Sequence, residues 1–131
     1  MTLEESREYF NQDKYAVEAT GLQIDQVGDH YSKVSLTLDE RHKAAHDHVM
    51  GGVFFTMADY AFAVATNRPD SLTVTGSANI SYMAQPKDDR MIAECRCIKH
   101  GKATCLYEVQ ITDGLGTKLA HAIFNGINIH K

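Results

Sequence analysis

Hydrophobic positions along the chain follow two different periods, and the change from one to the other lays out the elements. Residues 3–16 space Leu3, Phe10 and Tyr15 among acidic and polar positions, which predicts a short amphipathic helix. LQIDQVGDHYSKVSLTL then alternates on either side of Gly28-Asp29, a hairpin signal, with Val34, Leu36 and Leu38 on one face of its second strand. DERHKAAHDHVMGG reads as a long polar loop. From Val49 to Asn67 the residues are almost all apolar, and a helix is predicted from about Gly52 to Asn67, stopped by Arg68-Pro69. Strand-like alternation fills the rest. SLTVTGSANISYMAQP is interrupted at Gly76, where a bulge or a close backbone approach is expected. DRMIAECRCIKH sets Met91, Ala93, Cys95 and Cys97 against Ile92, Glu94, Arg96 and Ile98. ATCLYEVQITD and GTKLAHAIFNGINI complete a meander through Asp113-Gly114-Leu115-Gly116.

The order is therefore one short helix, two strands, one long buried helix and four strands. A lone apolar helix can be covered only by a curved antiparallel sheet, so the class is α+β, in a single domain over residues 1–131. With 44% hydrophobic and 23% charged residues the composition is that of a soluble globular protein. A net charge of −4 and scattered basic residues argue against nucleic acid as a partner. Val49–Asn67 is at the short end of what spans a bilayer, and its central Asp59 and paired glycines argue for a core helix rather than a membrane span. The N-terminus MTLEESREYF is acidic and polar, unlike a signal peptide. With only Cys95, Cys97 and Cys105, spaced wrongly for a zinc site, a reducing cytoplasm with structural thiols is the expectation.

One residue stands against this pattern. Asp59 is the only residue charged at neutral pH in the apolar helix. A buried carboxylate is costly without partners and Asp is a poor mid-helix residue, so it is either a satisfied core group or a functional one. Gly51 and Gly52 open the helix, where backbone N–H groups lack partners at the positive end of the dipole. The bland reading is a tight loop-to-helix junction. His42, His46 and His48, with Asp47, invite a zinc hypothesis, but no recognised ligand spacing accompanies them, and the expectation is no metal.

GGVFFTMADYAFAVATN within this element order resembles the hotdog fold, and more narrowly the acyl-CoA thioesterases of the phenylacetic-acid-degradation type. The likeness rests on Gly51 and Gly52 at the helix start, Asp59 about eight residues on, the small residues Ala61 and Ala65, and NISYMAQPKDDRMIAECRCIKHGK after the helix. Two positions depart from that family, which often has His before the Gly-Gly pair and Asn six residues before that His. Here they are Met50 and Ala44, with His46 and His48 as neighbouring substitutes.

The resemblance implies hydrolysis of an aryl-acetyl- or medium-chain acyl-CoA to free acid and CoA, with no cofactor beyond the CoA of the substrate. Asp59 would act as general base on a water, or as nucleophile forming a mixed anhydride. The Gly51 N–H would stabilise the developing oxyanion. Ser77 would orient Asp59 or the water, with Asn79 on the same side. Met50 and Gly52 would contact substrate. Lys99, Gly101 and Lys102 would grip CoA, with Arg90 a weaker candidate. Phe55 and Phe62 are the aromatic residues proposed for an acyl pocket. Eight helical residues span about 12 Å, too far for Asp59 to serve a carbonyl held by Gly51 of its own chain. A homodimer, paired in the family into a dimer of dimers, would bring them together. The alternatives are a non-catalytic acyl-CoA-binding protein and, last, a hotdog dehydratase or hydratase, for which no acid–His pair is visible at the helix.

Overall fold

The apolar run becomes helix α2 (Gly51–Thr66), one residue earlier at each end than its sequence suggests. Its interior is rich in Ala and Phe and free of proline. It stops because Asn67 turns extended, ψ 147°, and gives its side-chain oxygen to the Thr73 N–H at 2.7 Å. In this computed structural model, which describes residues 1–129, α2 touches all six strands of one sheet. Six strands laid flat would be about 24 Å wide, against about 10 Å for a helix, so the sheet has to curl around it.

The strands are β1 (Gln23–Gly28), β2 (Tyr31–Thr37), β3 (Leu72–Tyr82), β4 (Arg90–His100), β5 (Thr104–Asp113) and β6 (Lys118–Ile129). Their order across the sheet is β1-β2-β4-β5-β6-β3, every pair antiparallel. The α+β class and the element order read from the sequence are those observed. Alternating side chains of β2, β4, β5 and β6 enter the core as Val34, Leu36, Met91, Ala93, Tyr107, Val109, Ile111, Ala122 and Phe124, all at most 2% exposed. Gly126 lets β6 approach the helix. A Cβ there would lie 2.6 Å from Cys105 Sγ and 2.9 Å from Phe62 Cζ.

The N-terminal segment differs from the sequence reading. The helix α1 (Leu3–Phe10) is capped by Thr2 and ends at Phe10, and Tyr15 belongs to a separate π-helical turn, Tyr15–Ala19. The hairpin turn is Asp29-His30, one residue later than expected, with His30 at φ 55°. Gly76 does mark a bulge in β3. All three cysteines are free, with Cys95 and Cys105 buried. No helix among the described residues is long and apolar enough to cross a membrane.

The two sheet edges are treated differently. α1 packs along β1, where the Arg7 side chain donates to the Ile24 carbonyl at 2.9 Å. β3 has no such cover: Val74 through Asn79 are all exposed, and the strand carries neither Lys nor Pro.

Candidate active site

The loop before α2 is built by residues whose roles are structural. His42 is 2% exposed. Its Nδ1 accepts the Asp39 N–H at 3.0 Å, so Nε2 carries the proton and donates to the Thr20 carbonyl at 2.7 Å. The His42 carbonyl in turn accepts the Met50 N–H at 3.0 Å. Gln85 clamps the backbone of Val49 from the other side, accepting its N–H at 2.7 Å and donating to its carbonyl. His46 and His48 are exposed, with stacked rings 6.3 Å apart. No group of three metal-ligating side chains occurs among the described residues.

This scaffold presents an uncapped helix start. Met50 is the N-cap, exposed, and supplies no side-chain hydrogen bond. The first helix-closing donor is the Val53 N–H, to the Met50 carbonyl at 3.0 Å, which leaves the Gly51 and Gly52 N–H groups without partners among the described residues. The tight-junction reading of the Gly-Gly pair finds no support in the chain. Neither glycine has a positive φ; a Cβ on Gly52 would meet nothing within 4 Å, and one on Gly51 would make ordinary contact at 3.6 Å with the Tyr82 ring. The chain's own packing does not ask for glycine at position 52.

Asp59 lies eight residues further on, on a stripe of α2 that the sheet does not cover. Gly52, Phe55 and Asp59 are exposed and Thr56 and Ala63 half-buried. This corrects the expectation of a buried carboxylate: one sheet layer reaches only part of a helix's circumference, and the stripe facing away from it stays open. The carboxylate has no hydrogen-bond or ion-pair partner among the described residues. It sits in a crowded depression, and desolvation there raises its carboxyl above the usual value, with the charge of Asp13 adding to the effect. The depression is a cavity of about 380 Å³. Thr56, Asp59, Tyr60 and Ala63 form its α2 wall, and Asp13 to Ala16 form the wall opposite.

The register of β3 sorts the remaining candidates. Phe124 stacks on Phe62 of α2, so residues paired with Phe124, Ala122 and Ala120 face the helix: Ala78, Ile80 and Tyr82. Ser77 pairs with Asn125 and Asn79 with Ile123, which puts both on the sheet's outer face, away from α2. The extra residue at the bulge, Gly76, is the cause, because it re-phases the strand. Thr75, before the bulge and paired with Gly126, faces the helix side. Phe62 is a core residue, 2% exposed between Tyr107 and Phe124, and not a pocket wall. Phe55 is on the open stripe but outside the cavity. Lys99, Gly101 and Lys102 lie where β4 turns into β5, pinned by Asn128, whose amide donates to the Gly101 carbonyl at 2.8 Å. That end of the sheet is about 25 Å of strand from Gly51, which sits at the Tyr82 end. Arg90 is engaged with Asp25 and Ser35 on the outer face. A single chain thus holds Gly51, Asp59 and the Lys99–Lys102 turn apart. Sequence reasoning missed Asp13, Thr75, Tyr82 and Gln85. Only Thr75 carried a local signal, its place just before the Gly76 irregularity.

Solved proteins of this shape include several thioesterases. The acyl-coenzyme A thioesterase PaaI of Escherichia coli K12 is 26% identical over 96 residues, 72% of this chain and 69% of that protein. The crystal structure of the Escherichia coli PaaI protein superposes with a TM-score of 0.84 at 21% identity, covering 98% of this chain and 96% of that one. A hypothetical thioesterase protein of Streptococcus pneumoniae TIGR4, solved with coenzyme A, also gives 0.84, at 20% identity over 93% of this chain and 98% of its own. Two variants of the streptococcal protein, one Asp→Ala and one Thr→Ala, have been crystallised, their substituted positions sixteen apart. Residues 46–120 match the family profile of the thioesterase superfamily, and that match takes in more than half of the chain. By its sequence match and its hotdog fold alike, this chain belongs to the thioesterase superfamily.

Proposed function

We propose that this protein hydrolyses the thioester of an aryl-acetyl- or medium-chain acyl-CoA at sites shared between the two subunits of a homodimer. The observation that carries the reading is the helix start. Gly51 and Gly52 present two N–H groups unpartnered among the described residues at the positive end of α2, and a Cβ at position 52 would meet nothing within 4 Å. A glycine with no internal reason to be glycine makes sense where a substrate carbonyl comes up against the backbone.

Asp59 is the base, acting on water, with direct attack on the carbonyl as the other route open to it. It has no partner among the described residues to hold it inactive, and its raised carboxyl makes it a better base. About 12 Å of helix separates it from Gly51 of its own chain, so its oxyanion partner is Gly51 of the partner subunit. The bare edge of β3 is the surface that would pair. A two-fold axis beside β3 makes the two edge strands antiparallel and lays the Tyr82 end of one against the Leu72 end of the other. Thr75 and the Lys99–Lys102 turn of one subunit then move toward the helix start of the other. The orienting hydroxyl falls to Thr75 rather than Ser77, because Thr75 faces the helix side and lies sixteen residues after Asp59, the interval seen in the streptococcal variants. The two relatives point to the CoA portion: one is named for acyl-coenzyme A and the other was solved with coenzyme A.

The competing reading, an acyl-CoA-binding protein without turnover, draws on Met50 and Ala44 standing where the family often has His and Asn. A panel of acyl-CoA thioesters tested with the native protein and Asp59→Asn separates the two. Turnover by the native protein and a loss of about 10²-fold or more in the variant is expected. Binding without turnover in either would leave only the second reading.

A further inference from the structure

The cavity beside Asp59 has a second carboxylate on its far wall. Asp13 comes from the segment between α1 and the π-helical turn, and it faces Thr56, Asp59, Tyr60 and Ala63 across about 380 Å³. Most of the remaining wall is apolar or aromatic: Ala16, Tyr15, Ala63 and the ring of Tyr60. The one cation on the lining, Lys14, is turned to Glu18 at 3.3 Å. The segment is anchored at several points. Thr20 donates through both N–H and hydroxyl to the Tyr15 carbonyl, Arg41 donates to the Glu18 and Ala19 carbonyls, and His42 donates to the Thr20 carbonyl. This wall is therefore held in place by the same loop that positions the start of α2.

We infer that this cavity receives the acyl group and that Asp13 is a specificity-determining residue, which excludes acyl chains ending in a carboxylate and admits those with an uncharged end. The inference rests on the thioesterase reading of Asp59 and adds to it the choice of substrate. The volume is in the range of small-molecule sites, and Asp59 itself lines the cavity from the open stripe of α2. An acyl chain whose carbonyl lies at Asp59 projects its distal end along this cavity. A neutral end meets alanine and aromatic surface. A distal carboxylate meets Asp13 in front and Asp59 behind, with the nearby ammonium of Lys14 already paired. Juxtaposed like charges in a partly desolvated pocket are a strong means of exclusion, and binding contacts alone discriminate weakly between hydrocarbon tails. The raised carboxyl of Asp13, caused by desolvation, agrees with its place on the cavity wall.

The test compares hexanoyl-CoA with adipoyl-CoA, which have the same number of acyl carbons and differ in a terminal methyl against a terminal carboxylate. The readout is the ratio of kcat/KM for adipoyl-CoA to that for hexanoyl-CoA, which cancels any general effect on Asp59. In the native protein the ratio is expected at about 0.1 or lower, and Asp13→Asn should raise it about tenfold. Asp13→Lys should raise it further, because the repulsive charge becomes attractive. A ratio unchanged in both folded variants overturns the role of Asp13, as does a native enzyme that treats the two esters alike. Absence of hydrolysis of either ester by the native protein would instead sink the thioesterase reading on which the inference rests.

Discussion

Asp13 and Asp59 face one another across a single cavity, although forty-five residues of sequence and two β-strands lie between them. Desolvation raises both carboxyls, and the charge of Asp13 lifts Asp59 further. The acid limb of the kcat/KM profile should therefore lie above the range of an ordinary aspartate. Asp13→Asn removes one of the causes of the rise, so the limb should move to lower pH. The other ionisable groups on the cavity, Lys14, Tyr15 and Tyr60, stay in place in that variant. A pH–rate series on the two proteins checks this, and a limb that does not move would show that the two carboxylates are uncoupled.

Asp59→Asn should cost activity and not stability. The raised carboxyl means that the folded chain binds the proton more tightly than the unfolded chain does. Ionised Asp59 thus destabilises the fold at neutral pH, and this cost fades as pH falls through the folded-state value. The variant should melt at the same temperature as the native protein or higher at pH 7, with the difference closing in acid. A marked loss of thermal stability at pH 7 would mean that the carboxylate holds the fold together after all.

Gly52→Ala tests the helix start. The added methyl has room, and alanine favours a helix by about 0.5–1 kcal/mol over glycine, so stability should hold or rise. Activity should drop at least about tenfold if a substrate oxygen approaches that backbone. The shared site has a sharper consequence when Asp59→Asn protein is mixed and re-assembled with an inactive Gly52→Val protein. Each heterodimer would contain one site with both partners intact, so equal mixing should restore about a quarter of native activity by random assortment. Sites complete within one chain would restore none.

His42→Ala should weaken the fold and leave metal dependence unaltered. It removes a buried ring that accepts one backbone N–H and donates to one carbonyl, leaving both groups unpaired. The expected loss is about 1–3 kcal/mol in denaturant unfolding. Dialysis against a chelator should change neither the native melting curve nor the activity. Metal-dependent activity would restore the zinc hypothesis for His42, His46 and His48.

Asp113→Asn should show the opposite pH behaviour to Asp59→Asn. Burial alone would raise the Asp113 carboxyl, but the N–H groups of Lys87, Thr117 and Leu115 and the Thr117 side chain outweigh it and hold it at about 2. A depressed carboxyl stabilises the fold above the unfolded value near 4 and loses that contribution as pH falls through about 2. The native protein should thus be more stable than the variant at neutral pH, and the gap should narrow in acid. Melting curves across that range would show it.

Much of this molecule could be read along the chain. The element order, the hairpin, the long helix and the bulge at Gly76 follow from periodicity and from the local effects of Gly and Pro, which act within a few residues and need no tertiary partner. Asp59 and the glycines of the helix start stood out for the same reason, as local breaks in a pattern. What only the tertiary structure decided depends on which faces and segments meet. The bulge turned Ser77 outward and left Thr75 facing the helix, because one extra residue reverses every side chain beyond it. Asp59 proved open to solvent because a single sheet covers only part of a helix. Asp13 became its neighbour through the docking of the N-terminal segment. Contacts between residues far apart in sequence arise from packing, and packing leaves no periodic mark along the chain.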